Sequence, residues 1–252
     1  MASEPRIGRE HYDSGDYFER KGSAHLTDPA SDFHRYRVAK LEELRAPRAA
    51  DRVVDLGCGW GTFAFAWAGR VADVVGVDFS ERAIELCRRR LADEPHEGLR
   101  FLCADAGETG LEGGAWDLVV AADLFEHLYP EDSARVAREA YRLLAPGGHF
   151  AVWTPNPGHV LEMLRRRGIL RPDPTHVDYK TMDATKRLLS DAGFAIERAY
   201  FAESHVPGLR GAERLLQRGV PFLRRRIAVL GRKPGAPGQE PGQLPQEVPK
   251  GA

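Results

Sequence analysis

Cysteine is scarce in this chain. Cys58, Cys87 and Cys103 are the only three among 252 residues, and no two stand in a C-x-x-C pair. Neither a zinc knuckle nor a redox dithiol is therefore indicated. Long apolar runs are also missing, since none approaches the roughly 20 residues needed to span a bilayer. The opening residues Met1-Ala2-Ser3-Glu4-Pro5-Arg6 lack the apolar stretch of a secretory signal. A cytoplasmic location is expected. No excess of charge exists, because the formal net charge is −1. Bulk attraction to nucleic acid or to a membrane is not expected from such a balance. Internal repeats are absent as well.

What is present is enough for one good core. Hydrophobic residues make up 42% and charged residues 29% of the chain, as in globular proteins. Residues 53–61, Val-Val-Asp-Leu-Gly-Cys-Gly-Trp-Gly, are the most informative stretch. An apolar strand ends in an acid, a turn carries glycine at every second position, and a helix start follows. Glycine lets the backbone pass close to a ligand and take positive φ without steric cost. Asp55 is placed to bind a ligand amine. A second acid, Asp78, ends the next apolar run, Val74-Val75-Gly76-Val77. In a doubly wound sheet such an acid holds the ribose hydroxyls of a nucleoside.

A nicotinamide-binding fingerprint, G-x-G-x-x-G, fits poorly. The glycines fall at 57, 59 and 61, and Thr62 occupies the position where that pattern needs glycine or alanine. An acid at 55 would also repel a pyrophosphate.

Five motifs occur in order: Asp55-Leu56-Gly57-Cys58-Gly59-Trp60-Gly61, Gly76-Val77-Asp78-Phe79-Ser80, Cys103-Ala104-Asp105-Ala106, Trp116 to Val120 with Phe125-Glu126-His127-Leu128, and Leu143 to Gly148. Here the chain resembles the class I S-adenosylmethionine-dependent methyltransferases, of the group acting on ubiquinone precursors, polyketides and sugars. The resemblance implies an α/β fold: a doubly wound, mostly parallel, seven-stranded Rossmann-like sheet with its last strand antiparallel.

The alternation along the chain agrees with that fold. Strands are expected at about 51–56, 73–78, 99–104, 116–122, 149–154, 194–201 and 226–232. Helices are expected at about 32–46, 62–70, 81–92, 133–144 and 182–192. Ser31 and Ser80 stand where helix caps belong. A single domain covers 1–233, with 1–46 as an amino-terminal cap and helix. Residues 155–180 interrupt the rhythm after strand five and are expected to form a lid over the ligand crevice. From 210 to 233 there are eight basic residues and one acid, Glu213. A solvated helix over the sheet edge is preferred there to an amphipathic membrane contact by 207–226. The tail, 234–252, is rich in Pro, Gly and Gln and is expected to be disordered.

The resemblance also implies cofactor roles for S-adenosylmethionine and its product S-adenosylhomocysteine. Asp55 and the backbone of Gly57, Cys58 and Gly59 would hold the methionine part. Asp78 would take the ribose, with Phe79 beside the adenine. Asp105 would receive the adenine amino group, with the Ala106 backbone at the ring. The backbone of Ala122 and Asp123 would line the sulfonium. Arg37 would pair with the methionine carboxylate, and Tyr17 would close over the site. His127 and His176 are the candidate bases, His127 being preferred for its place after strand four; both also have structural readings. No short ligand spacing supports a metal.

The expected activity is methyl transfer to a small-molecule hydroxyl. Transfer to nitrogen or carbon, or cofactor binding without catalysis, are the alternatives. Nucleic acid is not an expected acceptor, because no Asn-Pro-Pro-Tyr type motif follows strand four. A monomer or homodimer is expected.

Overall fold

The structure is a computed structural model and describes residues 6–14, 17–18, 24–203, 216 and 219–235. The helices are α1 (Arg9–Asp13), α2 (Ala24–Thr27), α3 (Asp32–Arg45), α4 (Thr62–Trp67), α5 (Glu81–Asp93), α6 (Pro130–Leu143), α7 (Val160–Arg166) and α8 (Met182–Asp191). The strands are β1 (Arg52–Leu56), β2 (Asp73–Asp78), β3 (Leu99–Cys103), β4 (Trp116–Ala122), β5 (Leu144–Pro155), β6 (Ala195–Ala202) and β7 (Arg226–Arg232). They form one sheet in the order β3-β2-β1-β4-β5-β7-β6. β1 to β5 pair in parallel, and β7 runs antiparallel between β5 and β6.

Alternate residues of the central strands feed two cores, one on each face, as the period of two requires. Val53, Val74, Leu118 and Val120 pack with Leu41, Leu44, Phe63 and Trp67 of α3 and α4. Val54, Val75, Val119 and Ala121 pack with Val136, Ala140 and Leu143 of α6. Burial of each large apolar side chain contributes about 1.5–3 kcal/mol.

Several boundaries differ from the sequence reading, among them the end of α4 at Trp67 rather than at 70. α6 starts at Pro130 rather than at 133, because proline is at home in a first turn and Glu131 and Asp132 there complement the helix dipole. β5 starts at Leu144, not at 149; Trp116 pairs with Leu144, and the register then shifts before Leu118 meets His149. The preferred helix over the sheet edge lies mostly outside the described residues, as does the tail from 236; Leu216 and Phe222 are exposed. Among the described residues no helix is long and apolar enough to cross a membrane.

Gly61 caps α4 with φ of 73°. A Cβ there would lie 2.9 Å from Phe65 Cδ2 and 3.2 Å from Cys87 Sγ. The left-handed region alone costs a non-glycine residue about 1–2 kcal/mol. Gly61→Ala is expected to lower stability by about 1–3 kcal/mol. Urea unfolding reads this directly, and an unmoved midpoint would contradict the assigned loop geometry.

Candidate active site

The strand order reverses between β1 and β4, and a doubly wound sheet leaves a crevice at such a point. Here the crevice is a cavity of about 730 Å³. Gly57, Cys58 and Gly59 line it. Gly57 has φ of 70°, and a Cβ on it would sit 2.8 Å from Leu124 Cδ1, so the loop passes where only glycine fits. The Gly57 and Cys58 N–H groups both donate to the Val77 carbonyl, at 2.8 and 3.0 Å, which pins the loop to the end of β2.

Asp78 also lines the cavity and holds this loop. Its Oδ2 accepts from Gly59 N at 2.9 Å and its Oδ1 from Ser80 N at 3.0 Å. Burial pushes this carboxyl up, against the stabilising N–H groups of Ser80 and Gly59. Ser80 caps α5, and its hydroxyl donates to Asp13 Oδ1 at 2.6 Å. α1 is thereby tied across the site. Its Tyr12 meets Phe79 edge-on, with ring centroids 5.1 Å apart.

Asp55 is placed differently from the other expected cofactor residues, since it is not among those lining the cavity. Its carboxyl ends β1 at 1% exposure. Oδ2 is buried without a hydrogen-bond partner in the described structure. Burial pushes this carboxyl up to about 7, with Arg37 pulling the other way. A buried acceptor left unpaired costs about 1–3 kcal/mol, which a ligand ammonium would relieve.

Tyr17, Phe79, Asp105, Ala106, Ala122 and Asp123 all lie on the cavity wall. Asp105 is partly engaged: Oδ1 accepts from Gly107 N at 2.7 Å, and Oδ2 stands 3.3 Å from Arg135. Arg37 lines the cavity too, but its guanidinium donates to Asp123 Oδ2 at 2.7 Å rather than standing ready for a second carboxylate. Its Nε is buried without a partner. Asp123 has φ of 56°, the single positive value among described non-glycine residues. Two arginines fix it there, Arg37 and Arg226. Burial would raise its pKa, but those two guanidinium groups hold it below the usual carboxylate range. Arg226 was not foreseen. It starts β7, opposite Pro155 of β5, and the antiparallel pairing carries it to the cavity.

After β4 a 3₁₀ turn, Phe125–His127, presents Glu126 and His127. Residues 155–180 close against it. Val177 and Asp178 N–H donate to the Glu126 carbonyl at 2.9 and 3.2 Å, and Lys180 Nζ to that of Phe125 at 3.0 Å. His127 Nδ1 donates to the Thr175 carbonyl at 3.0 Å and lies 3.3 Å from the Tyr12 hydroxyl. The His127 and His176 rings meet edge to face at 4.8 Å between centroids. The two candidate bases, 49 positions apart in sequence, are thus side by side on one cavity wall.

Glu126 stands in the sequence motif Phe125-Glu126-His127-Leu128 but has no role assigned to it there. It is 2% exposed, and its Oε2 accepts from Thr154 Oγ1 at 3.0 Å. Burial, with the Asp123 charge, pushes it up to about 8. The sequence places it beside His127 in that motif, and only the fold reveals its burial.

Raised carboxyl pKa values make the folded protein bind protons that the unfolded chain has lost. Their stabilisation is complete below about pH 4 and disappears as pH rises through the folded values. His159, held by burial near 4, works oppositely only up to about pH 6.5. Between pH 6.5 and 8 the Asp55 and Glu126 contribution remains. The ligand-free protein is expected to lose about 1–3 kcal/mol over that window, at most 1.36 kcal/mol per group per pH unit. Denaturant unfolding at three pH values checks this; a flat or rising profile would contradict it.

An α/β sheet with a glycine loop, a ribose-type acid and an orphaned buried carboxylate at its switch point defines a nucleoside-cofactor protein. Residues 53–148 match a family described as a methyltransferase domain. A ubiquinone biosynthesis O-methyltransferase of Thiobacillus denitrificans is 31% identical over 182 residues, covering 68% of this chain and 78% of that protein. The fold is shared with an S-adenosylmethionine-dependent methyltransferase from Archaeoglobus fulgidus (TM-score 0.65, 20% identity, 86% of this chain and 100% of the other). It is shared also with the magnesium protoporphyrin IX methyltransferase of Synechocystis, solved with S-adenosylhomocysteine (TM-score 0.64, 18% identity, 89% and 97% covered). The chain belongs to the class I S-adenosylmethionine-dependent methyltransferase family.

Proposed function

We propose that this methyltransferase acts on a hydroxyl of a small-molecule acceptor. The observation that carries the reading is the His127–His176 pair on the wall of the cavity that the glycine loop also lines. Imidazoles in that place promote loss of a hydroxyl proton near neutral pH. The relative from Thiobacillus, named for O-methylation, supports the same choice.

The cofactor supplies a methyl group already activated on a sulfonium. The residues present fit it. Asp55 would take the ammonium on its orphaned oxygen only by a local shift, since its carboxyl does not line the cavity. The backbone of Gly57, Cys58 and Gly59 would follow the methionine chain. Asp78 would accept from the ribose hydroxyls while keeping the loop in place. Phe79 would flank the adenine, with Asp105 and Ala106 at its edge. Ala122 and Asp123 would line the sulfonium. Arg37 would meet the methionine carboxylate only by sharing its guanidinium with Asp123. Tyr17 and residues 155–180 would shut water out, so that acceptor and methyl stay aligned. Such alignment supplies several kcal/mol of the barrier reduction.

The test is transfer of labelled methyl from the cofactor to a panel of phenols, sugars and amines. Label in hydroxyl acceptors is expected. Label confined to amines or carbon acids would replace this reading with one of its alternatives.

A further inference from the structure

We propose that Arg165, Arg225 and Arg226, with His159, form a subsite for an oxyanion, a carboxylate or a phosphate, carried by the methyl acceptor. The inference deepens the hydroxyl reading and rests on it. The hydroxyl reacts, and the oxyanion, elsewhere on the same molecule, is held.

All four residues line the cavity. Asn156, just past β5, gathers three of them. Its N–H donates to the Arg225 carbonyl at 3.0 Å and its Nδ2 to that of Arg224 at 2.6 Å, which fixes the chain entering β7. Its own carbonyl accepts from His159 N at 3.0 Å, and its Oδ1 from Gly158 N at 3.1 Å. His159 caps α7, whose residues Leu161, Glu162 and Arg165 also line the cavity. Positions 161 and 162 share a helix face with 165, three and four residues on.

The groups brought together are mainly donors. Leu161 N donates to His159 Nδ1 at 3.3 Å, so the single proton of the neutral ring is on Nε2. Burial pushes His159 down to about 4, and Arg225, Arg226 and Arg165 push the same way while Glu162 opposes them. The ring is therefore neutral near pH 7, beside three guanidinium groups that can only donate. The two carboxylates nearby are already engaged. Asp123 pairs with Arg37 and Arg226, Glu162 Oε1 lies 2.5 Å from Arg165, and Glu162 Oε2 accepts from Tyr179 at 2.8 Å. A guanidinium carries five N–H groups, so one carboxylate aims it without exhausting it. Like charges gathered on one wall repel, and an oxyanion relieves that repulsion through charge-assisted hydrogen bonds.

The same wall leads to the reacting group. The Tyr179 hydroxyl that donates to Glu162 stands 2.7 Å from His176 Nδ1, so a short polar chain joins Arg165 to a candidate base. An acceptor held by its oxyanion would keep its hydroxyl aligned beside that ring.

The experiment uses the full chain saturated with S-adenosylhomocysteine, so that the methionine carboxylate already occupies its own place. Inorganic phosphate and benzoate are titrated by calorimetry, with benzamide as the neutral control. At least one of the two anions is expected to bind at one site with about millimolar strength, and benzamide is not. Arg165→Gln and Arg225→Gln are each expected to weaken that binding about 10–100-fold. Unchanged circular dichroism and S-adenosylhomocysteine affinity show that each variant is folded. Absence of binding by both anions at tens of millimolar, equal binding of benzamide, or binding unchanged in both folded variants would overturn the subsite. Methyl transfer is then compared between hydroxy acids and their amides. The acids are expected to show the lower KM, and Arg165→Gln to raise it about 10-fold or more. Label recovered as a methyl ester would also overturn the subsite, because the oxyanion would then be the reacting group. If hydroxyls are labelled with no preference for acids, the hydroxyl reading stands and this inference fails. If label goes to amines alone while the anion still binds as described, the subsite stands and the hydroxyl reading fails.

Discussion

Replacing His127 by alanine is expected to lower turnover by about 10²–10⁴-fold, the usual loss when assistance to proton removal is abolished. Cofactor affinity should stay nearly unchanged, because the ring belongs to the 3₁₀ turn after β4 and not to the glycine loop. His176→Ala is expected to act in the same direction, since the two rings are packed together. His127 should show the larger effect. It sits on a turn anchored between β4 and α6, whereas His176 rides on residues 155–180, held by the Glu126 carbonyl and by Lys180. Single-turnover transfer across pH separates a chemical defect from a structural one. A purely structural role predicts a lower unfolding midpoint with the wild-type rate and pH profile preserved in the folded fraction.

The second large effect is expected at Asp78. Asp78→Ala should weaken cofactor binding by about 2–4 kcal/mol, since hydrogen bonds to a charged acceptor are worth roughly 1.5–3 kcal/mol each and do not add fully. As a strand-end acid, this residue reads in the sequence as a ligand contact with no share in folding. The structure adds a second role, because its oxygens accept from the Gly59 and Ser80 N–H groups. Asp78→Ala should therefore also lower stability by about 1–3 kcal/mol. Asp78→Asn keeps one acceptor oxygen and should lose less of both. Calorimetric titration beside urea unfolding measures the two losses separately. Wild-type affinity in folded Asp78→Ala would remove this residue from the cofactor site.

The sheet was legible because its signals are local. Val74 to Val77 and Leu118 to Ala122 are unbroken apolar runs, and the ranges of β2, β4 and β7 match the expected ones. The glycine loop announced itself by spacing alone, and Gly57, Gly59 and Gly61 all have positive φ. The histidine pair was half legible. Each residue type suits proton transfer, yet nothing in the sequence brings position 127 beside position 176. That meeting depends on residues 155–180 folding back, through backbone bonds to the 3₁₀ turn that any sequence could make.

The charged cluster was hidden for a different reason. Arg37, Asp123 and Arg226 come from α3, the end of β4 and the start of β7, and only the sheet order brings them together. Asp123 was read for its backbone, whereas its side chain anchors two arginines beside the cavity. The same holds for Glu126, whose carboxyl accepts from Thr154 of the neighbouring strand. No short spacing joins Glu126 and His127 to His176, which comes from the segment 155–180.

The central claim is that this cavity binds S-adenosylmethionine through the acids and the glycine loop. Isothermal titration of the purified chain with S-adenosylmethionine and with S-adenosylhomocysteine tests it most directly. The account predicts one site of roughly micromolar affinity for each ligand, weakened in Asp78→Ala. Absence of heat with both ligands at millimolar concentration, or saturable binding of a nicotinamide dinucleotide in their place, would contradict it.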